Sequence, residues 1–546
     1  MNLLNLLDAP LGFLPSLEYA GCAIALALLV LLCSYKPLAI LQQCGYRNKK
    51  LLGWYARKDN LLFHRYCLLF LMLALTCLLF GICFAFLGMD IAFRLTLAPF
   101  LFFYILFYVL DKKYALKVPV NPTARLKRLC VVYFFIWTVV FYFFIATVNV
   151  IAYQTGSELF GLWRYAVLTL APLAIPYILS FANLSDSVYE RAVNQKYVTH
   201  AQEKLAKSDA IKIGITGSFA KTSVKNILTQ ILREKYTVLP TPASYNTPMG
   251  VAACVHGQQG ELPQIFIAEM GARNVGDIQE LCALVQPDYA VLTGVCAQHL
   301  ETFGSVENVV KTKAEIIDGT KKGGTVVIGK DEYTSTLTPD TVAHKILWVD
   351  GDAVQDIALS CEGTSFTLLY GEERLKIRTK LLGAHTAQNI ALAATLAKEL
   401  GITGDMLVSA CEKLEYVPHR LEILHSGGVT VIDDSYNANA KGAEQAVEVL
   451  KCFSGRKFIV TPGIVELGIL EESINARLGS LLTGLDGVIL VGETLVGAVK
   501  NGYLAAGGDA AKLTVTPTLS GAQEILKQTL QSGDTVLFLN DLPDVY

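Results

Sequence analysis

Apolar positions follow two different patterns along this chain, and the change falls near residue 185. Before it, apolar residues run on without a polar face, in stretches centred on residues 17–35, 67–88, 91–110, 130–151 and 163–182. Each has the length of about 17–24 residues that crosses the hydrocarbon core of a bilayer, so the pattern predicts five membrane helices. Water-soluble cores rarely supply five such runs in succession. A polar, charged connector follows, also with helical spacing. Beyond it, short apolar runs alternate with stretches that are apolar at i, i+3 and i+4, which predicts strands covered by helices. Strands are predicted at 210–216, 265–270, 289–293 and 325–328, then a β-richer stretch at 345–380 and a helix at 386–400. The pattern resets near 415–422, and a second series has strands at 429–432, 457–460, 487–491 and 535–538. The expected architecture is an α-helical membrane domain of about five spans followed by two α/β domains. Its boundaries are 1–185, a connector at 186–208, a central domain at 209–414 and a C-terminal domain at 415–546, hinged near Pro418.

Composition sharpens the first half of this reading. The 546 residues are 53% hydrophobic and 17% charged, with a mean hydropathy of +0.42, too apolar for a single soluble enzyme. Between the first two runs stand Arg47, Lys49, Lys50, Arg57, Lys58 and Arg65; between the third and fourth stand Lys112, Lys113, Lys117, Arg125, Lys127 and Arg128. Basic loops stay on the cytoplasmic side. The expected protein is therefore multi-pass in the plasma membrane, with its N-terminus outside and its α/β domains cytoplasmic. No basic stretch precedes the first run, so a cleaved signal peptide is not expected. A net charge of −2 argues against nucleic acid as a partner, and the basic loops suit anionic membrane lipids. The 13 cysteines include no Cys-x-x-Cys and read as free, packing thiols.

The sharpest chemical signal is Gly214-Ile-Thr-Gly-Ser-Phe-Ala-Lys221, followed by Thr222 and Ser223. A strand precedes it and a helical pattern follows, so the segment reads as a phosphate-binding loop. Amides from Thr216, Gly217, Ser218, Phe219 and Ala220, with the helix N-terminus, face the anion; Lys221 reaches terminal phosphates and Thr222 can ligate Mg²⁺. Ala220 stands where most such loops have Gly, so its backbone must adopt a conformation that Ala tolerates.

Thr216-Gly-Ser-Phe-Ala-Lys-Thr-Ser223 resembles the ATP loop of the Mur ligases, the ATP-dependent amide ligases of peptidoglycan synthesis. Further segments resemble that family in the same order: Ala268-Glu-Met-Gly-Ala272, His299-Leu-Glu-Thr-Phe-Gly-Ser305 with Lys313-Ala-Glu-Ile316, Gly383-Ala-His-Thr-Ala-Gln-Asn389, Pro418-His-Arg-Leu-Glu422, and Asp433-Asp-Ser-Tyr-Asn-Ala-Asn439. The resemblance covers about 209–546 and is strongest to the member that adds D-alanyl-D-alanine to a UDP-N-acetylmuramoyl-tripeptide. It implies a P-loop-containing central Mur ligase domain and a Rossmann-like C-terminal one. That member begins with a soluble domain for its UDP-sugar substrate, where five apolar runs stand here. The carboxylate acceptor is accordingly a small molecule or a lipid-linked one, and the amine donor an amino acid or dipeptide.

The resemblance also implies roles. The γ-phosphoryl of ATP moves to the acceptor carboxylate, and the amine attacks the acyl phosphate; such transfer is chiefly positioning and charge neutralisation. Thr222 and Glu269 would hold one Mg²⁺, and His299 with a CO₂-derived carbamate on Lys313 a second. Carbamylation turns a cation into an oxygen-donor anion and requires a shielded, neutral lysine. His385 and Asn389 would face the nucleotide, while Arg420, Asp434 and Asn437 would complete the site when the domains close. A non-catalytic nucleotide-binding membrane regulator is the alternative of another class.

Overall fold

A computed structural model describes residues 17–56, 62–87, 105, 120–155, 161–243, 245–296, 300–436, 439–465, 467, 470–492 and 494–539. The chain forms two compact units that divide between Val193 and Asn194.

The first unit is helical: α1 (Leu17–Cys33), α2 (Tyr35–Gln43), α3 (Asn48–Ala56), α4 (Leu62–Leu87), α5 (Ala124–Thr155) and α6 (Gly161–Ala206), which runs on into the second unit's residues. Ala23 and Ala27 leave α1 room to lie close to α5, where Tyr133, Trp137 and Phe141 are fully buried. Ser34 separates α1 from α2, and its Oγ bonds Val30 O at 2.7 Å and Tyr133 OH at 2.8 Å. At the start of α5, Arg125 and Arg128 pair with Asp186, and Arg128 also with Glu190. These two arginines, expected in a basic loop, are thus helical and neutralised by acids of α6.

The count of five spans is not met. Among the described residues one stretch, Ala124–Thr147 in α5, is long and apolar enough to cross a membrane. A second joins it if Ala20–Cys33 and Tyr35–Gln43, bent by 53°, count as one. The expected run at 67–88 falls in α4, whose qualifying apolar stretch, Ala74–Phe84, is shorter. Apart from Ile105, the run at 91–110 lies outside the described residues. The run at 163–182 and the expected connector form one helix, because no Gly or Pro interrupts residues 183–206.

In the second unit, β1 (Ile211–Thr216), β2 (Val238–Pro240), β3 (Ile265–Glu269), β4 (Tyr289–Leu292), β5 (Thr325–Gly329) and β6 (Lys345–Val349) form a parallel sheet in the order β2-β3-β1-β4-β5-β6. Alternation along β3 sends Ile265 and Ile267 into one layer and Phe266 and Ala268 into the other, so both faces are covered. The first layer holds α7 (Lys221–Leu232) and α9 (Ala384–Glu399); the second holds α8 (Val306–Gly319). The β-rich stretch is an antiparallel sheet of β7 (Val354–Ser360), β8 (Gly363–Tyr370) and β9 (Glu373–Thr379). The last sheet, β10-β11-β15-β12-β13-β14, is parallel except for its edge strand β10 (Glu422–Ser426) on β11 (Val429–Asp434). Its remaining strands are β12 (Lys457–Thr461), β13 (Gly487–Val491), β14 (Leu513–Thr516) and β15 (Thr535–Leu539), and α10 (Ala440–Lys451) packs on it through Ala443, Ala446, Val447 and Leu450.

Candidate active site

Strand register builds the site. Ile215 of β1 pairs with Glu269 of β3, and Thr216 with Leu292 of β4, so the carboxyl ends of three adjacent strands come level. The chain leaves β1 at the point where neighbouring strands depart in opposite directions, which is where open parallel sheets bind ligands.

The loop from Gly217 to Ala220 is fixed by its neighbours. Ser218 N donates to Gly294 O at 2.8 Å, and Thr293 Oγ1 to Phe219 O at 2.5 Å and Thr216 O at 3.2 Å. Gly217 has φ +150°, and an added Cβ would land on Thr293 Oγ1 and lie 2.9 Å from Gly294 O. Ala220 sits at φ +61°, in the left-handed region, so the loop imposes the glycine-type conformation on an alanine at a cost of about 1 kcal/mol. Lys221 Nζ folds back onto Gly217 O at 2.7 Å and Ser218 O at 3.4 Å. Burial pushes its ammonium below the usual lysine range, with Glu269 opposing and Arg420 adding to the shift.

Thr222 Oγ1 donates to Glu269 Oε1 at 3.1 Å, and Asn246 Nδ2 reaches the same oxygen at 3.4 Å. Glu269 Oε2 is buried without an aligned hydrogen bond, although Lys225 Nζ lies 3.1 Å away. The Thr222 hydroxyl and Glu269 Oε1, side by side at 3.1 Å, are hard oxygen donors, and the set fits Mg²⁺. Lys313, on α8, is 3% exposed, and burial holds its ammonium well below the usual range, with Lys221 adding to the effect. His299 and Asn437 lie outside the described residues.

A cavity of about 390 Å³ opens beside the loop, lined by Ala220 of the loop, Ser223 of α7, His385 and Asn389 of α9, Arg420, and Asp434 of β11. His385 is pushed down to about 4 by burial, with Lys441 adding to the shift, and so presents a neutral ring. Its Nδ1 is buried without a partner. Burial raises the Asp434 carboxyl to about 7 against the pull of Arg420. Arg420 stacks 4.8 Å from the Tyr436 ring centroid, and the residues flanking it, His419 (φ +61°) and Leu421 (φ +45°), are both left-handed. Of the residues expected in the site, Phe219, Ala220, Ser223, His385, Asn389, Arg420 and Asp434 line this cavity, while Glu269 and Lys313 are buried near enough to Lys221 for their charges to interact with it. Gly214 instead lies within β1, with Met270 and Ile316 against the position of its missing Cβ.

Three participants had escaped notice. Lys225 stands one turn after Lys221, and only its place on the inner face of α7 could have marked it. Thr293 directly follows β4 and carries no motif. Lys441, over the Phe219 ring at 5.2 Å, reaches the loop from α10.

Residues 215–397 match the Mur ligase middle domain and residues 419–540 the Mur ligase glutamate ligase domain. The chain belongs to the Mur ligase family. Among its relatives, the UDP-N-acetylmuramoyl-tripeptide–D-alanyl-D-alanine ligase of Bacillus subtilis is 28% identical over 342 residues, covering 60% of this chain and 72% of the relative. The Escherichia coli enzyme of that name is 30% identical over 291 residues, covering 52% and 64%. The MurF ligase of Thermotoga maritima in complex with ADP superposes with a TM-score of 0.58 at 27% identity, over 64% of this chain and 81% of that one. As a Mur ligase the chain is an ATP-dependent amide-bond ligase.

Proposed function

We propose that this Mur ligase joins a carboxylate acceptor to the amine of an amino acid or dipeptide through an acyl phosphate, at the surface of a membrane. The observation that carries the reading is the shared cavity, with the phosphate loop on one wall and Arg420 and Asp434 on the other. Amines attack acyl phosphates only in competition with water, and a site split between two domains excludes water when it closes. Lys221 leaves its loop carbonyls for the β- and γ-phosphate oxygens. Arg420 balances charge on the transferring group, and His385 and Asn389 border the nucleoside. Mg²⁺, when bound, neutralises phosphate charge; Thr222 and Glu269 would hold it. Lys313, neutral through burial, has the reactivity that a CO₂-derived carbamate requires, and with His299 would hold a second ion.

The names of the relatives recommend a UDP-N-acetylmuramoyl-tripeptide as acceptor and D-alanyl-D-alanine as donor. The apolar stretch Ala124–Thr147 favours a second reading, a lipid-linked acceptor offered at the membrane, with the first unit as a multi-pass anchor and the ligase domains cytoplasmic. Detergent-solubilised protein should release phosphate from ATP only when the right acceptor and amine are both present, and the product mass should equal their sum less water. Nucleotide binding without phosphate release for any acceptor and amine pair would favour the non-catalytic nucleotide-binding regulator.

A further inference from the structure

One turn beyond Lys221, Lys225 is 1% exposed, and the carboxylate it faces, Glu269, is 2% exposed. Shutting a primary ammonium away from water is costly, and an apolar pair of the same volume is usually at least as stable as a buried ion pair. Stability alone therefore gives a weak account of this pair. Its geometry gives a better one. Lys225 Nζ donates to Ala243 O at 3.0 Å and lies 3.1 Å from Glu269 Oε2. Glu269 Oε1 is turned the other way, toward the Thr222 hydroxyl at 3.1 Å, and Glu269 N is held by Thr241 Oγ1 at 3.0 Å. The two carboxylate oxygens thus have separate surroundings: one is tied to a cation fixed from the segment after β2, and the other stands beside the phosphate loop.

We propose that Lys225 is a positioning residue for the divalent cation that accompanies the nucleotide: by holding Oε2, it presents Oε1 as a single oxygen donor next to the Thr222 hydroxyl. The inference rests on the reading of Glu269 as a metal-binding residue. An outer partner that orients a metal-binding carboxylate is worth about tenfold to a hundredfold in metal affinity. A residue that only braces the loop would weaken nucleotide binding with and without metal alike.

The test is binding of a fluorescent ADP analogue to the full chain in detergent, titrated with Mg²⁺ and repeated in EDTA. Lys225→Met should raise the half-saturating Mg²⁺ by about tenfold or more while metal-free affinity stays within about twofold. Lys225→Arg, which keeps the charge near Oε2, should recover most of the Mg²⁺ response. Loss of metal-free binding in step with the Mg²⁺-dependent part would overturn the proposal. Glu269→Gln separates the two ideas. If it leaves the Mg²⁺ response unchanged, Glu269 is not a metal-binding residue and the reading beneath falls. If it shifts that response and Lys225→Met does not, only the role of Lys225 falls. Should Lys225→Met alone fail to fold, the double variant K225M/E269Q removes both buried charges and is compared with E269Q. Equal half-saturation supports the proposal, and a weaker double variant overturns it by giving Lys225 an effect that does not pass through Glu269.

Discussion

Gly217→Ala tests whether the loop after β1 is the phosphate cradle. The new methyl cannot be absorbed by a small side-chain rotation, because Thr293 Oγ1, which it meets, is committed to Phe219 O and Thr216 O. Turning Thr293 away gives up the hydrogen bond of its one hydroxyl proton, shared between the two carbonyls, roughly 1 kcal/mol, and the left-handed backbone at φ +150° adds about 1–2 kcal/mol for a residue with a Cβ. The sum, about 2–3 kcal/mol, is what the loop must recover by changing shape, and a reshaped loop no longer aims its amides. Nucleotide affinity should fall by about one and a half to two orders of magnitude. Isothermal titration with ADP reads this directly, and far-UV circular dichroism checks that the sheet survives. Thr293→Ala in the same chain removes the obstructing hydroxyl, so the double variant should bind ADP more tightly than the sum of single losses allows. ADP binding by Gly217→Ala within about twofold of the parent would refute the assignment of this loop.

Ala220→Gly should change thermal stability little, because relief of about 1 kcal/mol of left-handed strain is offset by the greater freedom of glycine in the unfolded chain; weaker nucleotide binding would show that the methyl itself is used. Asp434, raised to about 7 from an ordinary 3.8, contributes stability that is fully present below about 3.8 and is lost as pH rises through about 7. Chemical unfolding should find the parent losing about 2–3 kcal/mol relative to Asp434→Asn between pH 5 and 8, and parallel pH profiles would contradict the buried carboxyl. Lys313→Ala should depress turnover strongly, with partial rescue by added short carboxylic acids and none by Lys313→Arg. Lys311→Ala should be nearly silent, and the reverse pattern would move the carbamate to the other lysine.

Much of the α/β part can be read from sequence because its strands are buried on both faces and stand out as short apolar runs such as 265–269 and 487–491. The loop and Glu269 are legible for the same reason: each ends such a strand. The helical half is harder. Apolar length does not say where a helix breaks or continues, and Ser34, an ordinary polar residue, marks a 53° bend while the polar stretch after Ala182 marks nothing. Lys225 and Lys441 were missed because an isolated lysine in sequence looks solvated; only packing shows that one is enclosed and the other lies over an aromatic ring. The left-handed pair around Arg420 was equally hidden, since neither His419 nor Leu421 is a residue type that signals positive φ.

The Lys221 ammonium is bound to the carbonyls of Gly217 and Ser218 in its own loop. An anion must therefore outbid its host loop. Inorganic phosphate offers one small charged group for two hydrogen bonds surrendered, and the exchange is nearly even. A polyphosphate tail presents several oxygens at once to the lysine, the loop amides and the helix end, and wins by valence. If the loop is the phosphate cradle proposed above, the Lys221 bonds to its own loop make phosphate number a basis for discrimination, and free phosphate a weak competitor for the site.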